Sequence, residues 1–110
     1  MSTEQQLTEK LLIANRGEIA VRIINACRDM GIASVAVYAD DDISSMHVEL
    51  ADEAWGLAGT TAKETYLSIP AIIDIAKKSK ATMVHPGYGF LSERGEFAQA
   101  LFDDGLKWVR

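Results

Sequence analysis

The alternation of short apolar runs with longer amphipathic stripes constrains the fold of this chain more than any other feature. Leu11–Ala14 and Ser34–Ala39 are nearly continuous apolar runs, which are typical of strands buried on both faces of a parallel sheet. Between them, Glu18–Met30 carries apolar side chains at helical spacing, and Gly31 suits the end of a helix because glycine readily takes positive φ. The first half of the chain therefore reads as strand, helix, strand.

The second half repeats the same alternation. Three further strands are predicted at Glu53–Leu57, Thr82–Val84 and Leu106–Val109, the first of them weakly. Because strands that alternate with helices require crossover connections, the predicted class is α/β, a Rossmann-like, mainly parallel five-strand sheet with helices on both faces.

Helices are predicted near residues 18–30, 69–79 and 93–104, with a turn or two of helix at 46–51. Ser68 is expected to cap the second long helix and Ser92 the third, because a serine oxygen can accept an N–H that the first turn leaves unpaired. The inward positions predicted for the third helix are Phe97, Ala98, Leu101 and Phe102.

Length and charge restrict the function classes. The 110 residues suit one domain, predicted at 10–110 after a flexible leader at 1–9. Sixteen acidic and eleven basic side chains give a net charge of -5, so we expect neither a nucleic acid nor an anionic membrane surface as partner.

The single cysteine, Cys27, cannot form an internal disulfide and is expected in the core, which favours a reducing, cytoplasmic location.

The loop that follows the first strand offers one possible binding site. A dinucleotide site needs three glycines at fixed spacing, and Ala14–Glu18 contains only Gly17. Asp40 lies where a carboxylate that binds ribose would fall, but without the other glycines this match favours a tight turn with Arg16 and Glu18 paired or solvated.

The loop after the fourth strand, His85–Glu93, is more informative. Its glycines flank Tyr88 and allow backbone angles that other residues avoid. Tyr88 then presents a flat face and a hydroxyl to a ring-shaped ligand, with the N–H of Gly89 free to meet a carbonyl. Alternatively, Tyr88 and Phe90 only close the end of the sheet. His85 is expected to be a hydrogen-bonded structural residue and His47 a surface residue, and no metal-ligand spacing or nucleophile and base pair is present.

Two long segments and two shorter ones carry a resemblance to a known family. The segments KLLIANRGEIAVRI at 10–23 and HPGYGFLSE at 85–93, with ADE at 51–53 and YLSIPAII at 66–73, resemble the start of biotin carboxylase, an ATP-grasp enzyme. The resemblance covers residues 10–109 in register, and its two long motifs are highly specific. It departs at Arg94-Gly95, where an Asn-Ala type of sequence is common, and at Asn25, which replaces a residue that can be arginine.

The resemblance implies an ATP-dependent ligase that uses magnesium and bicarbonate to form carboxyphosphate and to carboxylate biotin on a carrier domain. The sequences of the first helix and of the leader are similar to those of the alpha chains of bacterial acetyl- or propionyl-CoA carboxylases, which implies a role in fatty acid biosynthesis. The family's ATP-binding, metal-binding and catalytic residues lie beyond residue 110. We therefore expect this segment alone to be inactive, with no catalytic or metal-binding residue and no cofactor bound.

The resemblance also implies roles for particular positions. Tyr88 and Gly89 match positions close to the biotin ring, and Arg22, Asn25 and Asp29 match a helix face that contributes to the dimer in bacterial members. The implied partners are a biotin carboxyl carrier domain, a carboxyltransferase subunit and a second copy of the chain. Two alternatives stay open at this stage, a free-standing dinucleotide-binding module and a purely structural or dimerisation domain.

Overall fold

The computed structural model of the protein describes residues 9–109, in which strands and helices alternate. The strands are β1 (Lys10–Ile13), β2 (Ala33–Tyr38), β3 (Glu53–Gly56), β4 (Met83–His85) and β5 (Lys107–Trp108). The helices are α1 (Gly17–Met30), α2 (Met46–Leu50), α3 (Ile69–Ser79) and α4 (Gly95–Asp103), with short 3₁₀ helices at Asp40–Asp42 and Phe90–Glu93. The leader predicted at 1–9 lies outside the described residues apart from Glu9.

The five strands form one sheet in the order β3-β2-β1-β4-β5, and each neighbouring pair is parallel. The predicted Rossmann-like sheet is therefore confirmed. In the central strand, Leu12 lies between Val35 of β2 and Val84 of β4, and none of the three side chains is exposed. The chain runs outward from β1 to β2 and β3 and then returns to β4 and β5, so the strand order reverses between β1 and β4.

Helices cover both faces of the sheet because successive strand residues point to opposite sides. Leu12 of β1 joins a core that includes Ile72 of α3 and Phe97 of α4. Its neighbour Ile13 joins a second core, which includes Ile24 of α1. The two cores pack against β1 from opposite faces of the sheet, so the loop that follows this strand has a rigid support.

The predicted signals at the ends of two helices are confirmed. Gly31 ends α1 in the left-handed region, with φ of 73°, as expected for a glycine at this position. Ser68 caps α3, because its side-chain oxygen accepts a hydrogen bond from the N–H of Ala71. Helix α3 occupies the predicted range 69–79.

The predictions for the third long helix are wrong in two details. Ser92 does not cap it, because the chain first makes a 3₁₀ helix and enters α4 only after Arg94. This detour buries Leu91 completely. Phe102 does not point inward and is 76% exposed, because the inward face of α4 is set by Phe97 and Leu101, four residues apart, and Phe102 follows a further 100° around the helix.

Met30, the last apolar residue of the first predicted stripe, is also exposed, because α1 ends there and Gly31 turns the chain back towards β2. None of the helices within residues 9–109 is both long and apolar enough to cross a membrane.

Candidate functional site

The candidate site lies at the carboxyl ends of β1 and β4, where the strand order reverses. In open parallel sheets this reversal opens a crevice between the loops of adjacent strands, and ligands commonly bind there. The two loops that meet here are residues 14–16 after β1 and 86–89 after β4, and they are the two loops that the sequence singled out.

The side chain of Asn15 joins the two loops. It is 1% exposed, and its Nδ2 donates hydrogen bonds to the carbonyl oxygens of Pro86 and Tyr88, each at 2.8 Å. Its Oδ1 accepts a hydrogen bond from the N–H of Arg16, also at 2.8 Å. Both donor hydrogens and the acceptor oxygen of the amide are therefore used, and their partners define which way the amide points.

Glycine is required at two positions of the second loop. Gly87 has φ of 73°, and a Cβ atom there would lie 2.7 Å from Asn15 Nδ2 and 3.0 Å from Ile19 Cγ2. Gly89 has φ of 74° and ψ of -160°, a region that only glycine commonly occupies. The prediction that these glycines adopt backbone angles closed to other residues is confirmed.

Tyr88 projects from the loop between these two glycines and is 78% exposed. Within residues 9–109, neither its backbone N–H nor that of Gly89 donates to a protein acceptor. The neighbouring Phe90 behaves differently, because its ring packs against that of Tyr66 with a centroid separation of 5.3 Å. Phe90 therefore closes the end of the sheet, whereas Tyr88 remains available to a ligand.

An ion pair between a half-exposed guanidinium and a buried carboxylate fixes the loop after β1. Arg16 donates from Nε and Nη2 to the two carboxylate oxygens of Asp42, at 2.7 and 2.8 Å. The hydroxyl of Tyr66 donates to the same carboxylate at 2.7 Å and accepts a hydrogen bond from the N–H of Ala39. Arg16 and Glu18 were predicted to be paired or solvated. Arg16 is paired, but with Asp42 of the 3₁₀ helix after β2 and not with Glu18.

These contacts shift the pKa values of all three groups. Hydrogen bonds from Arg16 lower the pKa of Asp42 to about 2, and the same contact raises the pKa of Arg16 above its usual range. Burial, together with the hydrogen bond to Asp42, raises the pKa of Tyr66 to about 12. At neutral pH the site therefore contains a charged Arg16 and Asp42 pair and a neutral Tyr66.

The prediction for His85 agrees with the structure, and the prediction for His47 does not. Nδ1 of His85 accepts a hydrogen bond from the N–H of Gly87 at 3.0 Å, so this histidine is hydrogen-bonded as predicted. His47 was predicted on the surface, but it is 1% exposed, and its Nε2 lies 3.1 Å from the carbonyl oxygen of Val37. The prediction fails because α2 folds back against β2 and turns this side chain inward. Burial lowers the pKa of both imidazoles, so both favour the neutral form.

An apolar groove of about 820 Å³ adjoins the exposed Tyr88. The residues that line it include Leu11, Ile19, Ile23, Met30, Met83 and Tyr88. Arg22 also lines it, whereas Asn25 and Asp29 are exposed on α1 and do not. Cys27 lies at its base, 3% exposed as predicted for a core residue, and burial raises the pKa of its thiol.

The arrangement is suited to binding and orienting a ligand. Tyr88 offers an aromatic face, and two N–H groups beside it can meet a carbonyl oxygen. Among the described residues, no three His, Cys, Asp or Glu side chains are grouped so that they could hold a metal ion.

The sequence reasoning assigned no role to Asn15, Asp42 or Tyr66. The position of Asn15 was a usable signal, because a polar side chain that directly follows a buried strand lies at the ligand-binding edge of the sheet. No comparable signal distinguishes Asp42 from Asp40 and Asp41, since all three stand together in one loop. Asp40, which carried the dinucleotide alternative, is exposed.

Comparisons with known proteins agree on one family. Residues 7–110 match the family model described as biotin carboxylase, N-terminal domain. A biotin-dependent acyl-coenzyme A carboxylase alpha3 subunit from Mycobacterium leprae is 57% identical over 100 residues, which are 91% of this chain and 17% of that protein. The chain therefore spans about one sixth of the length of this relative.

Solved structures show the same relationship. The biotin carboxylase domain of a single-chain bacterial carboxylase is 52% identical, with a TM-score of 0.88 over 92% of this chain and 24% of that one. The biotin carboxylase domain of a thermophilic 2-oxoglutarate carboxylase, solved with bound ADP, is 43% identical, with a TM-score of 0.86 over 91% of this chain and 22% of that one.

Proposed function

This chain belongs to the family of biotin carboxylase N-terminal domains, and from that premise we propose that its parent protein carboxylates biotin with ATP and bicarbonate. Membership of this family does not favour the alternative of a free-standing dinucleotide-binding module. We propose the ATP-grasp class because one relative is named as biotin-dependent and one related domain was solved with bound ADP. Mg²⁺ is proposed as the metal that accompanies ATP because the sequence resemblance implies it.

The role that we propose for this segment is to form one wall of the biotin site. The observation that carries it is the loop at Tyr88 and Gly89, which is exposed although it is held rigidly at the reversal of the strand order. Biotin supplies the ureido nitrogen that accepts the carboxyl group. The residues fit such a ring, because Tyr88 can cover its face while the N–H of Gly89 can donate to its carbonyl oxygen.

The proposal is tested in the complete parent protein with the substitution Tyr88→Ala. We expect kcat/KM for free biotin to fall about 10- to 100-fold, while KM for ATP and the melting temperature stay nearly unchanged. Stability should hold because the ring is 78% exposed and contributes little to the core. Phe102→Ala is the matched control, since this ring is 76% exposed on α4. A lower melting temperature without a selective effect on biotin would instead assign Tyr88 a packing role.

The finer assignments are proposals of the same kind. The 57% identity to an acyl-coenzyme A carboxylase subunit supports an acetyl- or propionyl-CoA carboxylase alpha chain that works in fatty acid biosynthesis with a carrier domain and a carboxyltransferase subunit. The single buried cysteine, Cys27, is consistent with a cytoplasmic location.

A homo-oligomer contact through α1 is a second proposal, and it applies equally if the domain has a purely structural role. It is supported by the exposure of Arg22, Asn25 and Asp29 on one helix. Light scattering on the parent protein tests it, with Arg22→Glu expected to lower the mass of the assembly. An unchanged mass would remove α1 from the contact.

A further inference from the structure

Among residues 9–109, Asn15 has the one side chain whose hydrogen bonds connect the loop after β1 to the backbone on both sides of Gly87. Its two N–H groups reach the carbonyl oxygens of Pro86 and Tyr88, and its own oxygen accepts from Arg16. The amide is almost fully buried, so water cannot replace these partners if they are lost.

We propose that Asn15 is a positioning residue for biotin, which acts by holding the Tyr88 and Gly89 backbone in the orientation that exposes its N–H groups and the tyrosine ring. This inference rests on the function proposed above. The carbonyl oxygen of Tyr88 belongs to the same peptide unit as the N–H of Gly89. When Asn15 fixes that oxygen at 2.8 Å, it therefore fixes the direction of the Gly89 N–H as well.

The glycine at 87 supports the same reading. A Cβ atom at this position would lie 2.7 Å from Asn15 Nδ2, so the backbone approaches the amide as closely as only glycine permits. A loop that merely connected β4 to the next helix would not need this approach. The ion pair of Arg16 with Asp42 completes the arrangement, because it holds the residue whose N–H donates to Asn15 Oδ1.

The substitution Asn15→Asp tests the role with little change in shape. It replaces the two donors with an acceptor that faces two carbonyl oxygens, so the peptide unit of Tyr88 and Gly89 loses its anchor. Asn15→Ala removes the same donors without adding charge and serves as the second variant if the first does not fold. Gln99→Glu is the matched control, because it makes the same change from amide to acid at an exposed position on α4.

Two measurements are made on the complete parent protein. We expect hydrogen exchange in residues 86–92 to become about tenfold faster or more in the Asn15 variants and to stay unchanged in Gln99→Glu. We also expect kcat/KM for free biotin to fall about 10- to 100-fold, with KM for ATP nearly unchanged, since a misplaced contact impairs the substrate it orients.

The outcomes separate this inference from the proposed function. Unchanged exchange in residues 86–92, or equal losses for biotin and ATP, would overturn the positioning role of Asn15. Faster exchange without any effect on biotin would also overturn it. If Tyr88→Ala then has no effect on biotin either, the proposed function fails as well. If Tyr88→Ala impairs biotin turnover while Asn15→Asp does not, the proposed function stands without this positioning role.

Discussion

The substitution Asp42→Asn tests the charge network beneath the site. The carboxylate of Asp42 accepts two hydrogen bonds from Arg16 and one from Tyr66, and its side chain is only 11% exposed. These contacts lower its pKa from an ordinary 3.8 to about 2. A difference of this size corresponds to about 2 kcal/mol of stabilisation at neutral pH.

The pH dependence of this stabilisation has a definite sign. Because the pKa of Asp42 is lower in the folded protein than in the unfolded chain, its stabilisation is fully present above about pH 5. It is lost as the pH falls through 3.8 towards 2. We therefore expect Asp42→Asn to lower the free energy of unfolding by about 2 to 4 kcal/mol at pH 7, and this loss to shrink by about 1 kcal/mol at pH 3.

Equilibrium urea unfolding at pH 7 and pH 3 measures both quantities. Asp41→Asn is the matched control, since this neighbouring carboxylate is exposed, and we expect it to change the stability by less than about 0.5 kcal/mol. A loss for Asp42→Asn that matches the control, or one that is the same at both pH values, would refute the reasoning that the buried carboxylate is stabilised as a charged group.

Three further predictions concern the loop glycines, a buried histidine and the activity of the segment. Gly87→Ala should lower the free energy of unfolding, measured in urea, by about 1 to 3 kcal/mol more than Gly31→Ala. Both residues have φ of 73°, but only a Cβ atom at position 87 would collide with Asn15, so equal losses would contradict this close approach. Because burial lowers the pKa of His47, the neutral imidazole should stabilise the fold above pH 6.5, and this stabilisation should be lost as the pH falls below 6.5. An NMR titration midpoint of His47 at or above 6.5 would contradict the lowered pKa. The 110-residue chain alone should neither hydrolyse ATP nor carboxylate biotin, and bicarbonate-dependent phosphate release above a blank without protein would overturn this prediction.

The sheet and its helices were predictable from the sequence because burial on both faces leaves a direct trace in the residue pattern. The strand Leu11–Ala14 is apolar throughout, and the stripe from Ile69 to Ala76 keeps helical spacing, so both were placed to within one residue. The start of α4 was misplaced, because the 3₁₀ helix that precedes it depends on the burial of Leu91 rather than on a local capping residue.

The candidate site was predicted only in part. The glycines that flank Tyr88 are a local signal, because positive φ restricts the residue type at the position itself. The position of Asn15 after a buried strand places it at the ligand-binding edge of the sheet, but the long-range contacts of Asn15 and Asp42 leave no local signal. Their partners in these contacts are 71 to 73 and 24 to 26 residues away in the sequence. Which polar residues meet is decided by the order of the strands in the sheet, and no local pattern records that order.

The most direct test of the central claim is a photo-crosslink from position 88. The photoreactive amino acid p-benzoylphenylalanine replaces Tyr88 in the complete parent protein, which is irradiated with its biotinylated carrier domain. The control carries the same group at Phe102, an equally exposed ring on α4. If the loop forms a wall of the biotin site, mass spectrometry will find a covalent product on the biotin-bearing segment of the carrier from position 88 and not from position 102. No product from position 88, or equal yields from both positions, would contradict the claim.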